Sequence, residues 1–237
     1  MCKYKRIVIL TGAGISAESG IRTFRDSNGL WENHDVQEVA SPAGFARNPE
    51  LVLRFYNQRR QQLLSDGVKE NAAHKALARL EQEFSGEFLL VTQNVDDLHE
   101  RAGSQNVIHM HGELLKKQCI HSGLVSGVRT DLSVKDVCDC CSETGTLRPH
   151  IVWFGEFPFE MERIQATLQD CDLFISIGTS GAVYPAAGFV SVANQCGAET
   201  VTLNLEEADN GSAFSRGEYG AATEIVPRFV EELLKSH

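Results

Sequence analysis

A run of apolar, mostly β-branched residues, Arg6-Ile7-Val8-Ile9-Leu10, leads straight into Thr11-Gly12-Ala13-Gly14-Ile15-Ser16-Ala17. The run is short and continuous, as in a strand buried on both faces of a parallel sheet. The turn after it fits G-x-G-x-x-G/A. There the first glycine permits a tight bend, and the second lets backbone N–H groups approach a pyrophosphate at a helix N-terminus. Further buried-strand runs lie at 88–92, 107–110, 172–177 and 200–205. Helical patterns fall at 49–64, opened by Asn48-Pro49, at 71–84, where Ala73, Leu77, Leu80 and Phe84 share a face, and at 226–235, with Pro227 in the first turn. This alternation predicts an α/β fold, a Rossmann-like doubly wound parallel sheet with its ligand at the carboxyl ends of the strands.

Two stretches break the alternation, 26–67 and 114–148. Both read as inserts that form a smaller module. The larger part is then built from 1–25, 68–113 and 149–237, within a single domain of ordinary size.

Composition narrows the partners. Apolar residues at 42% and charged residues at 23% suit a globular chain. Lys and Arg number 22 against 32 Asp and Glu, a formal charge of −10, which disfavours a nucleic-acid partner. No apolar run approaches a membrane span or the core of an export signal, so no membrane partner is expected and the expected location is cytoplasmic. The seven cysteines, an odd count, fit a reducing compartment. Cys171 and Cys196 lie among apolar residues and are expected to be buried. Cys119, Cys138, Cys140 and Cys141 cluster in a polar, turn-rich stretch, the setting of a metal clip. The acidic residue that a dinucleotide-reducing enzyme carries after its second strand has no match; Asn204-Leu205-Glu206, at the end of the 200–205 strand, is the better candidate for a ribose.

Gly12-Ala13-Gly14-Ile15-Ser16, followed by Gly20-Ile21-Arg22-Thr23-Phe24-Arg25, resembles the opening motif of the sirtuin family. Thr92-Gln93-Asn94-Val95-Asp96 resembles their second motif and His109-Met110-His111-Gly112 their third. Val152-Trp153-Phe154-Gly155-Glu156, Gly178-Thr179-Ser180 and Asn204-Leu205-Glu206 follow in the family's order, so the resemblance, nearest to bacterial CobB-type sirtuins, covers nearly the whole chain. It implies that the smaller module is a zinc ribbon with helices, that NAD is a co-substrate and that a zinc ion is structural. It further implies removal of acetyl and succinyl groups from lysines of acylated partner proteins, giving nicotinamide, O-acyl-ADP-ribose and free lysine. Protein ADP-ribosyl transfer, or NAD sensing without turnover, are the alternatives.

The resemblance also distributes roles. The acyl-lysine amide oxygen attacks the anomeric carbon of the NAD ribose as nicotinamide leaves, and His111 takes a proton from a ribose hydroxyl. Histidine suits this because its unperturbed pKa is about 6.5. His109 shares the strand face, so spacing alone does not separate the two; the family motif selects His111. Cofactor contacts are implied for Gly12, Ala13, Gly14, Ser16 and Ala17; for Thr23, Phe24, Arg25 and Trp31; for Gln93, Asn94, Val95 and Asp96; and for Gly178, Thr179, Ser180, Asn204, Leu205, Glu206 and Ala222. The lesser alternative for Asn94 is the N-cap of a helix starting near Val95. Val152, Phe154, Gly155 and Glu156 are expected to offer a strand edge to a peptide, with 181–185 on its other side. Tyr56 and Arg59, three apart on the 49–64 helix, share a face. A phenol and a guanidinium there would hold a carboxylate at the far end of an acyl chain. They resemble the Tyr-x-x-Arg of the desuccinylase branch, with Ala40 leaving room. The family's metal pattern is two Cys-x-x-Cys pairs. Cys138-Asp139-Cys140-Cys141 supplies one, whereas Cys119-Ile120-His121-Ser122 places a serine in the second position. Cys119, Cys138 and Cys141 are the expected ligands, with His121 or Cys140 open for the fourth place.

Overall fold

The computed structural model describes residues 3–21, 30–31 and 34–235, of which 30–31 by backbone alone. The apolar run at the amino end forms β1 (Arg6–Thr11), buried from Ile7 onward. It lies between two parallel neighbours, β4 (Glu87–Thr92) and β9 (Leu173–Ile177). β5 (Val107–His109) extends the sheet beyond β4, and β10 (Glu199–Asn204) and β11 (Arg216–Tyr219) extend it beyond β9. The order is β11-β10-β9-β1-β4-β5, all parallel. The chain runs outward from β1 to β5 on one side, then returns to β9 and runs outward on the other. The crevice between these halves, at the carboxyl ends of β1 and β9, is the switch point where such sheets bind ligands.

Helices cover both faces. On one, α4 (Ala72–Glu83) and α8 (Ala222–Lys235) pack Leu77, Leu80, Phe229 and Val230 against Ile7, Ile9, Leu90 and Ile175. On the other, α6 (Met161–Asp170) and α7 (Phe189–Gln195) pack Ile164, Leu168, Phe189 and Val190 against Val8, Leu10, Leu89 and Phe174. α8 starts four residues earlier than the sequence pattern suggested, and Pro227 lies inside it. The Glu18 carboxylate accepts the Thr223 N–H, so the first turn is capped from outside the helix.

The inserted segments build a second layer. A two-strand hairpin, β2 (Leu30–Trp31) and β3 (His34–Asp35), precedes α1 (Val36–Val39), α2 (Pro42–Arg47) and α3 (Pro49–Leu63). β6 (Gly112–Cys119) pairs antiparallel with β7 (Val125–Gly127) and β8 (Leu147–Ile151). The two inserts share one core, in which Val52, Phe55 and Tyr56 of α3 meet Leu114, Ile151 and Trp153. Buried Arg60 bolts them together, donating to the carbonyls of Leu114 and Thr130 and to Asn57 Oδ1. α5 (Leu98–Ala102) links β4 to β5 and contributes Leu98 to that core.

Candidate active site

Loops leaving β1, β4, β5, β9 and β10 converge on the switch-point crevice. Gly12 and Gly14 are glycines because the β9 loop lies against them. A Cβ on Gly14 would stand 2.7 Å from Gly178 Cα, and one on Gly12 2.7 Å from the Gly178 carbonyl oxygen. The segment after Gly12 is not the α-helix that the fingerprint suggested. Ala13–Ser19 is a 3-10 helix closed by Gly20 at φ +85. Its ends carry i→i+3 bonds, Ile15 N–H to Gly12 O and Gly20 N–H to Ala17 O, while Gly14 N–H is taken by Gly178 O at 2.9 Å. On the β9 side of the crevice, Asn204 Oδ1 accepts the Thr179 N–H at 3.0 Å and pins the β9 and β10 loops together. Leu205 is 71% exposed at the rim, with Glu206 beside it. Ala17 is exposed, Val95 packs on the insert core, and Ala222 opens α8.

Under the glycine loop lies a buried polar network. Ser16 Oγ donates to Asp96 Oδ2 (3.1 Å), accepts from Asn94 Nδ2 (3.1 Å) and lies 3.4 Å from His74 Nε2. Asn94 is thus engaged with Ser16 and caps no helix; α5 begins at Leu98, whose N–H bonds Asp96 Oδ1. Burial pushes the Asp96 carboxyl up to about 6. His74 closes the capping box of α4: the Asn71 N–H lies 3.3 Å from its Nδ1 and the Asn71 Oδ1 3.0 Å from the same nitrogen, while Nε2 faces Ser16. Burial holds its pKa down to about 4, so the imidazole is neutral. His99, 4.9 Å away ring to ring, is likewise depressed by burial, and its Nε2 lies 3.0 Å from Thr11 Oγ1.

The structure separates the two histidines that spacing could not. His109 Nε2 is 2.6 Å from Glu100 Oε1 on α5. Burial alone would lower its pKa, but the Glu100 carboxylate outweighs that and raises it. His111 has no carboxylate among its described partners. Its Nδ1 is 3.1 Å from the Gln93 carbonyl, an acceptor that fixes the proton on Nδ1 and leaves the Nε2 lone pair for chemistry. Burial lowers its pKa, partly opposed by that carbonyl.

Tyr56 and Arg59 both sit on α3. Tyr56 is buried, and its hydroxyl accepts the indole N–H of Trp153 at 3.0 Å. Arg59 is half-buried; its guanidinium stacks 3.8 Å from the Phe55 ring centroid and donates to the Phe55 carbonyl. Ala40 is buried between α1 and α2. Residues 152–156 form a turn beyond β8, where a strand edge was expected. The N–H groups of Val152, Trp153, Phe154 and Glu156 are bonded within the chain, and the Glu156 carboxylate is held by Arg148. Tyr184, on the opposite 181–185 segment, is 79% exposed.

The Sγ atoms of Cys119, Cys138, Cys140 and Cys141 all lie within 4.8 Å of one another. The pairs Cys138–Cys140 and Cys119–Cys141 are 3.2 Å and 3.8 Å apart. Four thiolates at zinc's usual bond length, about 2.3 Å, stand about 3.8 Å from each other. The donor set therefore fits a structural zinc, and Cys140 occupies the place that the spacing gave to Ser122, whose Oγ lies 3.1 Å from it. The backbone N–H groups of Ser122 and His121 help hold the Cys119 thiol down to about 5, favouring the thiolate that a metal requires. Cys171 is buried as expected, whereas Cys196 is exposed because α7 ends just before it.

Arg22, Thr23, Phe24, Arg25 and the Trp31 side chain lie outside the described residues. Sequence reasoning missed His74, Arg148 and the role of Trp153. Among the described residues no helix is long and apolar enough to cross a membrane.

The Sir2 family pattern matches residues 12–185. An NAD-dependent protein deacylase of Pasteurella multocida is 62% identical over 99% of this chain and 100% of its own length. A Sir2 homologue solved with NAD superposes with a TM-score of 0.89 at 37% identity, covering 99% of this chain and 91% of that one. Sir2 bound to an acetylated peptide gives 0.82 at 32% identity, covering 97% and 93%.

Proposed function

The chain belongs to the Sir2 family, and from this we propose that it is an NAD-dependent deacylase that removes acetyl and succinyl groups from protein lysines in a reducing cytoplasm. The observation that carries this reading is His111. It is a neutral imidazole whose tautomer is set by the Gln93 carbonyl, at the carboxyl edge of the sheet between the β4 and β8 loops. NAD supplies an anomeric carbon that takes the acyl oxygen as nicotinamide departs. His111 holds the proton drawn from the ribose hydroxyl, which a base below its ordinary pKa does at neutral pH. The close packing of Gly12 and Gly14 on Gly178 seats the β1 and β9 loops against each other, and with the N–H groups of these three glycines bonded within the chain, other N–H groups of the loops face the phosphates. Gln93, Asn94 and Asp96 orient the ribose and carboxamide, with the Ser16 network holding Asn94 and Asp96 still.

The substrate backbone lies between the 152–156 turn and the 181–185 segment. With most N–H groups of the turn already bonded, its carbonyls are the partners for a peptide N–H. Tyr56 and Arg59 receive a carboxylate at the end of the acyl chain. Cys119, Cys138, Cys140 and Cys141 hold zinc, which ties β6 to the 138–141 turn.

The test is mass spectrometry of acetyl-lysine and succinyl-lysine peptides with and without NAD, using wild type and His111→Tyr. Unmasking of both peptides only with NAD and only by wild type is expected. Label transferred from NAD to protein, with the peptides untouched, would instead favour ADP-ribosyl transfer.

A further inference from the structure

Trp153 carries no role among the motif residues, yet it stands at a junction. It is 2% exposed. Three hydrogen bonds leave its loop in succession: Val152 N–H to the His111 carbonyl (2.9 Å), Trp153 Nε1–H to Tyr56 Oη (3.0 Å) and Phe154 N–H to the Ala40 carbonyl (2.9 Å). One short loop thus fixes the proposed base, the phenol of the acyl pocket and the small residue beside it.

The indole is held from behind. The Arg148 guanidinium carbon lies 3.4 Å from its ring centroid, a cation–π stack. Arg148 forks onto Glu156, Nη1 to Oε1 at 2.6 Å and Nη2 to Oε2 at 2.9 Å, and also donates to the Ile151 carbonyl. Glu156 Oε2 in turn accepts the Trp153 backbone N–H at 2.8 Å. Ring and backbone of Trp153 are therefore clamped by one bidentate pair, a geometry that resists reorientation. Burial alone would raise the Glu156 carboxyl, but Arg148 and the Trp153 amide hold it below the usual range, so the pair stays charged at neutral pH.

An indole nitrogen can only donate, so Tyr56 Oη is the acceptor and its own proton points away from Trp153. Burial pushes the phenol above its ordinary range, and it keeps that proton. Accepting an N–H also makes a hydroxyl a stronger donor.

We propose that Trp153, clamped by Arg148 and Glu156, is a specificity-positioning residue whose indole N–H presents the Tyr56 hydroxyl as a donor to acyl chains ending in a carboxylate. An acetyl group has no such end and gains nothing from it. The inference rests on the acyl-pocket reading given above.

Trp153→Phe keeps a ring for Arg148 and for Phe45, 5.2 Å away, but deletes the N–H. The experiment measures kcat and KM on acetyl and succinyl peptides for wild type, Trp153→Phe, Tyr56→Phe and the double variant. In Trp153→Phe, succinyl kcat/KM should fall about five- to tenfold, mainly through KM, the size expected for one hydrogen bond, with acetyl kcat/KM changing less than about twofold. In the Tyr56→Phe background the succinyl-to-acetyl ratio should not fall further. Equal loss on both substrates, no change in the ratio, or a further fall in that background would each overturn the proposal. Should Trp153→Phe fold poorly, Arg148→Lys keeps the charge but loses the two-pronged grip on Glu156 and the stack on the indole; it should lower the same ratio by a smaller factor, and an unchanged ratio overturns the proposal. Wild type with no desuccinylation would defeat the acyl-pocket reading and the proposal with it, and is seen before any variant is compared.

Discussion

His74 ties the stability of this protein to pH. Folded, the ring is 0% exposed, with Nδ1 beside Asn71 and Nε2 facing Ser16, and its pKa is held down to about 4. Unfolded, it titrates near its ordinary value of about 6.5. Between these values the unfolded chain binds a proton that the folded one refuses, so stability present above pH 6.5 is lost as the pH falls toward 4. A gap of about 2.5 units at 1.36 kcal/mol each is about 3 kcal/mol in total, of which about 2 kcal/mol is lost between pH 7 and pH 5. Asp96 works in the opposite direction. Its raised pKa lets the folded state take up a proton between about 6 and its ordinary value, returning stability as the pH falls. A bare pH profile therefore mixes the two, and a difference measurement separates them. His74→Gln keeps a polar side chain at the capping box and removes the titration. Urea unfolding, followed by tryptophan fluorescence, should show the wild-type advantage over His74→Gln shrinking by about 2 kcal/mol from pH 7 to pH 5. An advantage that stays constant to within about 0.5 kcal/mol would refute a buried neutral His74.

Three further outcomes are expected. Gly14→Ala places a Cβ 2.7 Å from Gly178 backbone, whereas Gly67→Ala meets nothing within 4 Å; calorimetry should show NAD binding weakened about tenfold or more in the first and unchanged in the second, an overpacking cost of about 1–3 kcal/mol. Arg59→Met should abolish desuccinylation while sparing much of the deacetylation, checked by peptide mass spectrometry; equal loss of both would remove the carboxylate role. Cys140→Ser should lower bound zinc well below one equivalent by elemental analysis, and adding Ser122→Cys in that background should restore it, because the two side chains stand 3.1 Å apart.

The central strands were legible because they are buried on both faces. β1, β4 and β9 read as nearly continuous apolar runs and β10 as Val201 and Leu203 set among β-branched threonines, and their observed limits differ from the sequence reading by a residue or so at each end. α6 was invisible because only Ile164 and Leu168 of its ten residues are buried. β8 was missed in part because Pro149 and two basic residues interrupt its five positions, and β6 because a register shift between Glu113 and Lys117 breaks its alternation. Cys196 was misjudged because its apolar neighbours belong to the buried face of α7, and that helix stops at Gln195. At the site, motif order brought out the loops but not the partners that tune them. His109 and His111 differ only through Glu100 and the Gln93 carbonyl, contacts that cross from other elements. Arg148 reads as a polar residue in a turn-rich insert until Glu156, eight positions on, is seen to fold back upon it.

Whether the dinucleotide is consumed can be counted. With an acetyl-lysine peptide and NAD in excess, chromatography should find one nicotinamide released for every lysine amine unmasked, no unmasked lysine and at most one nicotinamide per enzyme with His111→Tyr, and no absorbance of reduced cofactor. Free lysine appearing without nicotinamide, or with reduced cofactor accumulating, would contradict the chemistry assigned to His111.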